Sequence, residues 1–303
     1  TTESNTMSNA MEWLQFVLAP QMINGLSIGV AVVLMALGLT IIFGLLDVIN
    51  MAHGEFYAIG AYLTVALLAT GMSFWWALVL TPLLMAVLGF VTERGLIQRV
   101  FHSKDRHTLT LLLTFGVAVV LEDAPKIAFG ANPLRLEAPI TGATEMLGLF
   151  FPNYRLFVML FGGALIAGVW LLVFRTSLGA IVRAAAYDRN MSASLGVPVQ
   201  LVYAGTFAFG VALAGIAGVL LAPIYSVFPT MGKDFVLIAF SVVIIGGMGS
   251  IKGALLAGLL LTQVQSISSL YISPVWSDPL LFGIMVLVLM WRPQGLFGKL
   301  GSA

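Results

Sequence analysis

Cysteine is absent from all 303 residues, which excludes disulfides, thiolate nucleophiles and Cys-ligated metal. Charge is nearly as scarce. Asp, Glu, Lys and Arg make up 9% of the chain, where a soluble domain carries about 25%, so there is too little polar surface to hold the chain in water. No Lys or Arg precedes Arg94, so the positive lead of a secretory signal peptide is missing before the first apolar run. With a net charge of +1 there is no electrostatic footprint for nucleic acid. Nor is any polar stretch long enough to fold around a core of its own. Chemistry that requires a soluble domain has to come from another chain.

What is present is hydrophobic sequence, 60% of the residues. Charge-free runs recur at the length of roughly 20 residues that crosses about 30 Å of hydrocarbon. The reading is an all-α polytopic transmembrane bundle forming one domain over 11–303, after a polar lead at 1–10 (TTESNTMSNA) expected to be disordered or a cloning remnant. The run from Trp13 to Leu46 is too long for one span, and Pro20 separates an interfacial lead from a span at 21–46. Further spans are expected at 56–71, 75–92, 108–121 with an extension towards 129, 156–174, 201–222, 235–251, 253–272 and 275–291. Some are short enough to be half-helices, so the expected number is 8–10. Arg94, Arg99, Lys104 and Arg106 cluster in one loop, Arg175, Arg183 and Arg189 in another, and Arg292 and Lys299 follow the last span. These alternate with loops poor in Lys and Arg, which places the basic loops and the C-terminus in the cytoplasm and 131–154 outside. Trp75, Trp76, Trp276 and Trp291 fall at span ends, as an aromatic belt requires. Glu122 and Asp123, followed by Pro125 and Lys126, read as a marker of the outer interface.

Three segments break the apolar pattern. INMAHGEFYAIGAY (49–62) carries Asn50, His53, Gly54 and Glu55. Ionisable groups at membrane depth usually face a bundle interior or a watery cavity, so this is a candidate helix break on a translocation path, with Gly54 letting the backbone leave the helix. A polar surface turn with Glu55 as an ordinary helix-start charge is the other reading. His53 and Glu55 have no third ligand nearby, which disfavours a metal site. The segment IIGGMGSIKGALLAG (244–258) holds Gly246, Gly247 and Gly249. It fails the phosphate-loop spacing because Ile251 stands where a glycine is required, and no strand precedes it as a dinucleotide fingerprint needs. Close helix packing and a broken helix at a substrate site both remain open for it.

The third segment, SLGAIVRAAAYDRNMSASLGVPV (177–199), is too polar to span. A helix is expected over 180–195, amphipathic, with Arg183, Asp188 and Arg189 among alanines and a stop at Gly196 before Pro198. A lipid-surface helix would carry bulkier apolar anchors than alanine, so docking into a partner's groove is the favoured role.

These segments together resemble the Liv-type permeases of branched-chain amino acid ABC importers, over about 21–298. INMAHGE resembles that family's Asn-x-Ala-His-Gly-Glu signature, and RAAAYDRNMSASLGV resembles its ATPase-facing loop. IGGMGSIKGALLAG and PQGLFG (293–298) resemble its Gly-rich core and C-terminal tag. The intact Ala-His-Gly-Glu looks more like the H-type subunit than its companion. The resemblance implies a non-enzymatic, cofactor-free permease of the bacterial inner membrane. Its partners would be a companion permease, two cytoplasmic ATP-binding subunits and a periplasmic substrate-binding protein. It also implies that 183–196, within the cytoplasmic segment around 175–199, is the coupling helix; on it Arg183, Asp188 and Arg189 are the candidate polar contacts, Leu195 the candidate apolar plug and Gly196 the exit turn. Related systems carry branched-chain amino acids, other amino acids, amides or urea. An ion-coupled transporter is disfavoured because 201–222 and 235–251 have no ionisable group, and an intramembrane enzyme because the histidines, two of them His102 and His107, form no catalytic pairing.

Overall fold

The computed structural model describes residues 13–101, 103–146, 149–273 and 276–298. The lead 1–10, His102, Val275 and Lys299 lie outside them. Eleven α-helices of six residues or more are defined among the described residues: α1 (Ala19–Leu46), α2 (His53–Ala69), α3 (Phe74–Thr92), α4 (Arg106–Phe129), α5 (Asn153–Arg175), α6 (Ser177–Tyr187), α7 (Arg189–Ser194), α8 (Val199–Leu221), α9 (Met231–Gly246), α10 (Ile251–Ser268) and α11 (Ser277–Trp291). A small antiparallel hairpin, β1 (Ala143–Met146) and β2 (Leu149–Pro152), decorates the connection from α4 to α5. Among the described residues six helices are long and apolar enough to cross a membrane, and α2, α9 and α11 are shorter apolar helices, so this is a multi-pass helical membrane protein.

Hydrophobicity on every side of a helix means burial in a bundle or contact with lipid, and here the helices divide between the two. The most apolar window is 83% buried in α1 and in α8 but only 22% buried in α4 and in α5, so the first pair forms the core and the second faces outward. The core pair approaches backbone to backbone. A Cβ on Gly38 would stand 2.5 Å from the Gly210 carbonyl oxygen, and one on Gly210 would stand 2.6 Å from Ile42 Cδ1.

The chain repeats one plan twice in opposite directions. A long core helix, a break, a short helix and a returning helix occur as α1–α2–α3 and again as α8–α9–α10. Each half packs on the other's core helix: α3 and α2 on α8, α10 and α9 on α1. Opposed repeats with interrupted helices are a recurrent transporter architecture. The fold also segregates charge. Arg94, Arg99, Lys104, Arg106, Arg175, Arg183, Arg189, Lys252 and Arg292 all lie at one end of the bundle, called here the basic face.

Several sequence expectations need correction. The helix expected from 56 starts at His53, and the one expected from 235 starts at Met231 and stops at Gly246. Polar residues at these starts were read as loop, yet the bundle holds them in helical backbone. The segment after α3 is not a loose loop. It continues as a π-turn at Glu93–Ile97 and a helical turn at Gln98–Val100, with Glu93 and Ile97 buried. The segment expected as one helix over 180–195 is two, α6 starting at Ser177 and α7 at Arg189.

Candidate functional site

Asp47 ends α1 in the left-handed conformation (φ 54), its N–H bonded to Phe43 O at 2.8 Å. The chain then returns into the bundle without regular structure, through a turn at Met51 and Ala52, until α2 begins. Asn50 organises this return: its Oδ1 accepts from Ala52 N (3.1 Å) and its carbonyl from His53 N (3.3 Å). Thr114 of α4 steadies it from outside, its Oγ1 accepting from Met51 N at 3.2 Å. The break is therefore at 47–52. Gly54 does not make it: that glycine sits in the first turn of α2 with ordinary helical backbone.

His53 fixes how deep the return goes. Its Nε2 lies 3.0 Å from Met35 O, donating to it in the neutral tautomer. Met35 lies about 16 Å along the α1 axis from Leu46, so α2 begins in the middle of the bundle. Helix α9 begins there too. A Cβ on Gly54 would collide with Gly232 O and stand 2.5 Å from Val236 Cβ. Two helix starts thus meet, one running on to the basic face and one away from it. Helix N-termini concentrate partial positive charge, and the carboxylate of Glu55 lies between them, 2.5–2.7 Å from where a Cβ on Gly232 would stand.

Asn50 and His53 are 0% exposed and Glu55 is 3% exposed. Asn50 Nδ2, His53 Nδ1 and Glu55 Oε2 find no hydrogen-bond partner among the described residues. A buried polar group left unpaired costs on the order of 1–3 kcal/mol, so three together oppose folding and call for a functional reason. The polar-surface-turn reading does not survive this burial.

The structure separates this centre from Gly246, Gly247 and Gly249. Those glycines lie at the basic face, Gly246 about 21 Å along α9 from Gly232. Gly247 (φ 101) and Gly249 (φ 78) turn the chain into α10, which Ser250 caps through Gly253 N at 3.1 Å. The close small-residue contact of this segment is Gly246 on Gly253. The C-terminal PQGLFG closes over this turn, with Leu296 N on Ile245 O (2.8 Å) and Phe297 N on Gly246 O (3.0 Å).

On the same face, Asp188 divides the amphipathic segment 177–199. Its backbone is extended (φ −147, ψ 106) and its Oδ1 accepts from Met191 N at 2.9 Å, starting α7 as an N-cap. That local bond engages a carboxylate expected to reach outward. Both arginines also turn to their own chain. Arg183 bonds Val173 O and stands over Phe174 at 5.7 Å; Arg189 lies over Phe101 at 4.8 Å and Tyr203 at 5.6 Å. They fasten α6 and α7 to α5, α8 and the turn after α3. Gly196 has the expected left-handed backbone (φ 84), with Val197 N reaching Ser192 O at 3.1 Å. Three large apolar side chains stand exposed among polar ones such as Asp188 and Asn190: Tyr187 is 95% exposed, Met191 61% and Leu195 76%.

One cluster was missed. Glu122 is not a simple interface marker: it is buried, accepts from Lys126 Nζ at 3.0 Å and bridges to Lys233 Nζ of α9 at 2.8 Å. Lys126 also holds Asp123 at 2.9 Å. The Glu122–Lys126 spacing of i, i+4 was legible, but the tie to Lys233 was not.

Residues 21–289 match the family described as branched-chain amino acid transport system / permease component. The chain is 30% identical to the high-affinity branched-chain amino acid transport system permease protein LivH of Escherichia coli (strain K12), over 92% of this chain and 95% of that one. It is also 30% identical to BraD of Pseudomonas aeruginosa, at the same coverages. LivM of Escherichia coli is 29% identical, with 67% of its length covered, so the chain aligns with the H-type along nearly all of that subunit's length. Among solved structures, a chain of PsaBC from Streptococcus pneumoniae in complex with a Fab has the same fold, with a TM-score of 0.51 at 14% identity over 96% of this chain and 98% of that one. The inverted pair of interrupted helices and the capped loop on the basic face thus occur in a membrane-embedded transport subunit, and the chain belongs to the branched-chain amino acid transport permease family, as an H-type member.

Proposed function

We propose that this chain is one of two permeases in an ATP-driven importer of branched-chain amino acids, working with a companion permease, two ATP-binding subunits and a periplasmic binding protein. The observation that carries the coupling role is the set of exposed large apolar side chains Tyr187, Met191 and Leu195, on a segment whose arginines bond and stack on their own chain. An apolar surface on a short helix pair suits a groove on a partner, and the inward fastening passes a push at α7 into α8 and α3 as a rigid-body movement. The ATPase contacts are assigned to these three side chains, with Arg183, Asp188, Arg189 and Gly196 holding the segment in shape. The basic face and the C-terminus are cytoplasmic, in keeping with the concentration of Lys and Arg there. Asn50, His53, Gly54 and Glu55 hold open the break where α2 meets α9, beside the translocation path, and Gly246, Gly247 and Gly249 form the turn that the C-terminal segment locks.

The test is uptake by the complex reconstituted in proteoliposomes with ATP inside and loaded binding protein outside. Leucine, isoleucine and valine should enter only with ATP, and Leu195→Asp should abolish uptake while leaving the complex assembled. Uptake that follows an ion gradient without ATP would refute the reading, and preferential uptake of urea or amides would correct the substrate.

A further inference from the structure

The charges that the break does not use lie on the outer half of α4 and at the start of α9. Lys233 follows directly on Gly232, which packs against Gly54 in the middle of the bundle. Its side chain is 61% exposed and binds Glu122, which lies about 24 Å along the α4 axis from Arg106. Beside this pair, Asp123 is 57% exposed and Lys126 37%. Asp234 adds a further exposed acid on α9. Lys233 is the third residue of α9, and Gly246 lies about 20 Å further along that helix at the basic face. Ionisable groups at such depth face a water-filled cavity or the interior of an assembly. Inside the cluster, Glu55 Oε2 is buried without a partner among the described residues, against the same turn of α9 that carries Lys233. The outer faces of α3 and α5, by contrast, present Val87 (61% exposed) and Leu160 (77%) with no charge beside them.

We propose that the face shared by α4 and α9 is the wall of the solute path, and that Glu122, Asp123, Lys126 and Lys233 meet the two charged ends of a zwitterionic solute crossing it. A wall with fixed charges of both signs matches a molecule carrying one ammonium and one carboxylate, and neutralises neither at the cost of the other. The proposal rests on the permease reading above and adds the surface and the groups involved.

The cysteine-free chain supplies the experiment. Val119→Cys and Leu237→Cys, each one turn from Asp123 or Asp234 towards the basic face, report on this wall, and Val87→Cys and Leu160→Cys report on lipid-facing positions. In the reconstituted complex, with and without ATP and vanadate, a charged water-soluble thiol reagent should label the first pair at least tenfold faster than the second. Equal rates in every state would overturn the assignment, whether lipid or a permanent contact with the companion permease covers the face. The double variant Glu122→Gln with Lys233→Gln should then cut uptake of a zwitterionic amino acid at least tenfold without changing its affinity for the binding protein. If that variant fails to assemble, Asp123→Asn, altered at the surface, carries the same expectation. Uptake at the wild-type rate in the assembled variant would remove the charges from the path. Loss of uptake in the unmodified complex would instead count against the permease reading.

Discussion

Placing one methyl group on Gly54 tests the meeting of the two helix starts directly. In Gly54→Ala the new carbon would overlap Gly232 O and stand 2.5 Å from Val236 Cβ and 3.0 Å from Gly232 C, where ordinary contacts begin near 3.4 Å. Two of these three atoms are backbone, so no rotamer change relieves them, and α2 and α9 must part by about 1 Å where they meet. Overpacking of this kind costs about 1–3 kcal/mol. The parting also moves Gly232 away from Glu55, which disturbs the carboxylate between the helix starts. The matching control is Gly116→Ala in α4, where nothing lies within 4 Å and the gain in helix propensity is up to about 1 kcal/mol. Reversible unfolding in mixed micelles by titration with dodecyl sulfate should show Gly54→Ala less stable than wild type by about 1–3 kcal/mol, with Gly116→Ala equal or more stable. Uptake by Gly54→Ala should fall while that of Gly116→Ala persists. Equal unfolding midpoints for the two variants would refute the close approach of α2 and α9.

Gly196→Val forces a β-branched residue into a left-handed position (φ 84) where space is free, so the strain is purely backbone; the variant should assemble, bind its partner and lose solute-stimulated ATP hydrolysis. Asp188→Ala removes the cap on Met191 N, costing about 0.5–2 kcal/mol of local stability, and hydrogen exchange should rise in α7 before any other helix. Removing the residues from Pro293 onward deletes the bonds to Ile245 O and Gly246 O, so exchange should increase at the end of α9 and at the α9–α10 turn, with α1 unaffected. Single cysteines at 135 and 187 should be labelled from opposite sides of sealed vesicles, 187 from the cytoplasmic side; labelling of both from one side would refute the orientation.

Membrane residence, the approximate course of nine apolar helices, the basic face and the polar amphipathic segment at 177–199 were all legible in the sequence alone. Each rests on a local property: the length of an apolar run, the clustering of Arg and Lys, or a glycine followed by a proline at a helix end. Asn50, His53 and Glu55 stood out for a similar reason, since polar residues in apolar sequence are conspicuous whatever surrounds them. Tertiary structure decided everything that depends on who meets whom. Asp188 was read as a residue within one helix because helix-forming composition surrounds it, and only its extended backbone and its bond to Met191 N divide α6 from α7. Arg183 and Arg189 looked like outward contacts until Val173 O, Phe174, Phe101 and Tyr203 claimed them. The pairing of Glu122 with Lys233 joins residues far apart in the chain, and no periodicity encodes it. The same holds for Gly54 on Gly232, where glycine matters because another backbone passes, and that backbone is brought there by the inverted repeat. Local pattern sets which segments are helical and which are polar; the close packing of opposed helices, possible only where side chains are missing, decides which of them form a site.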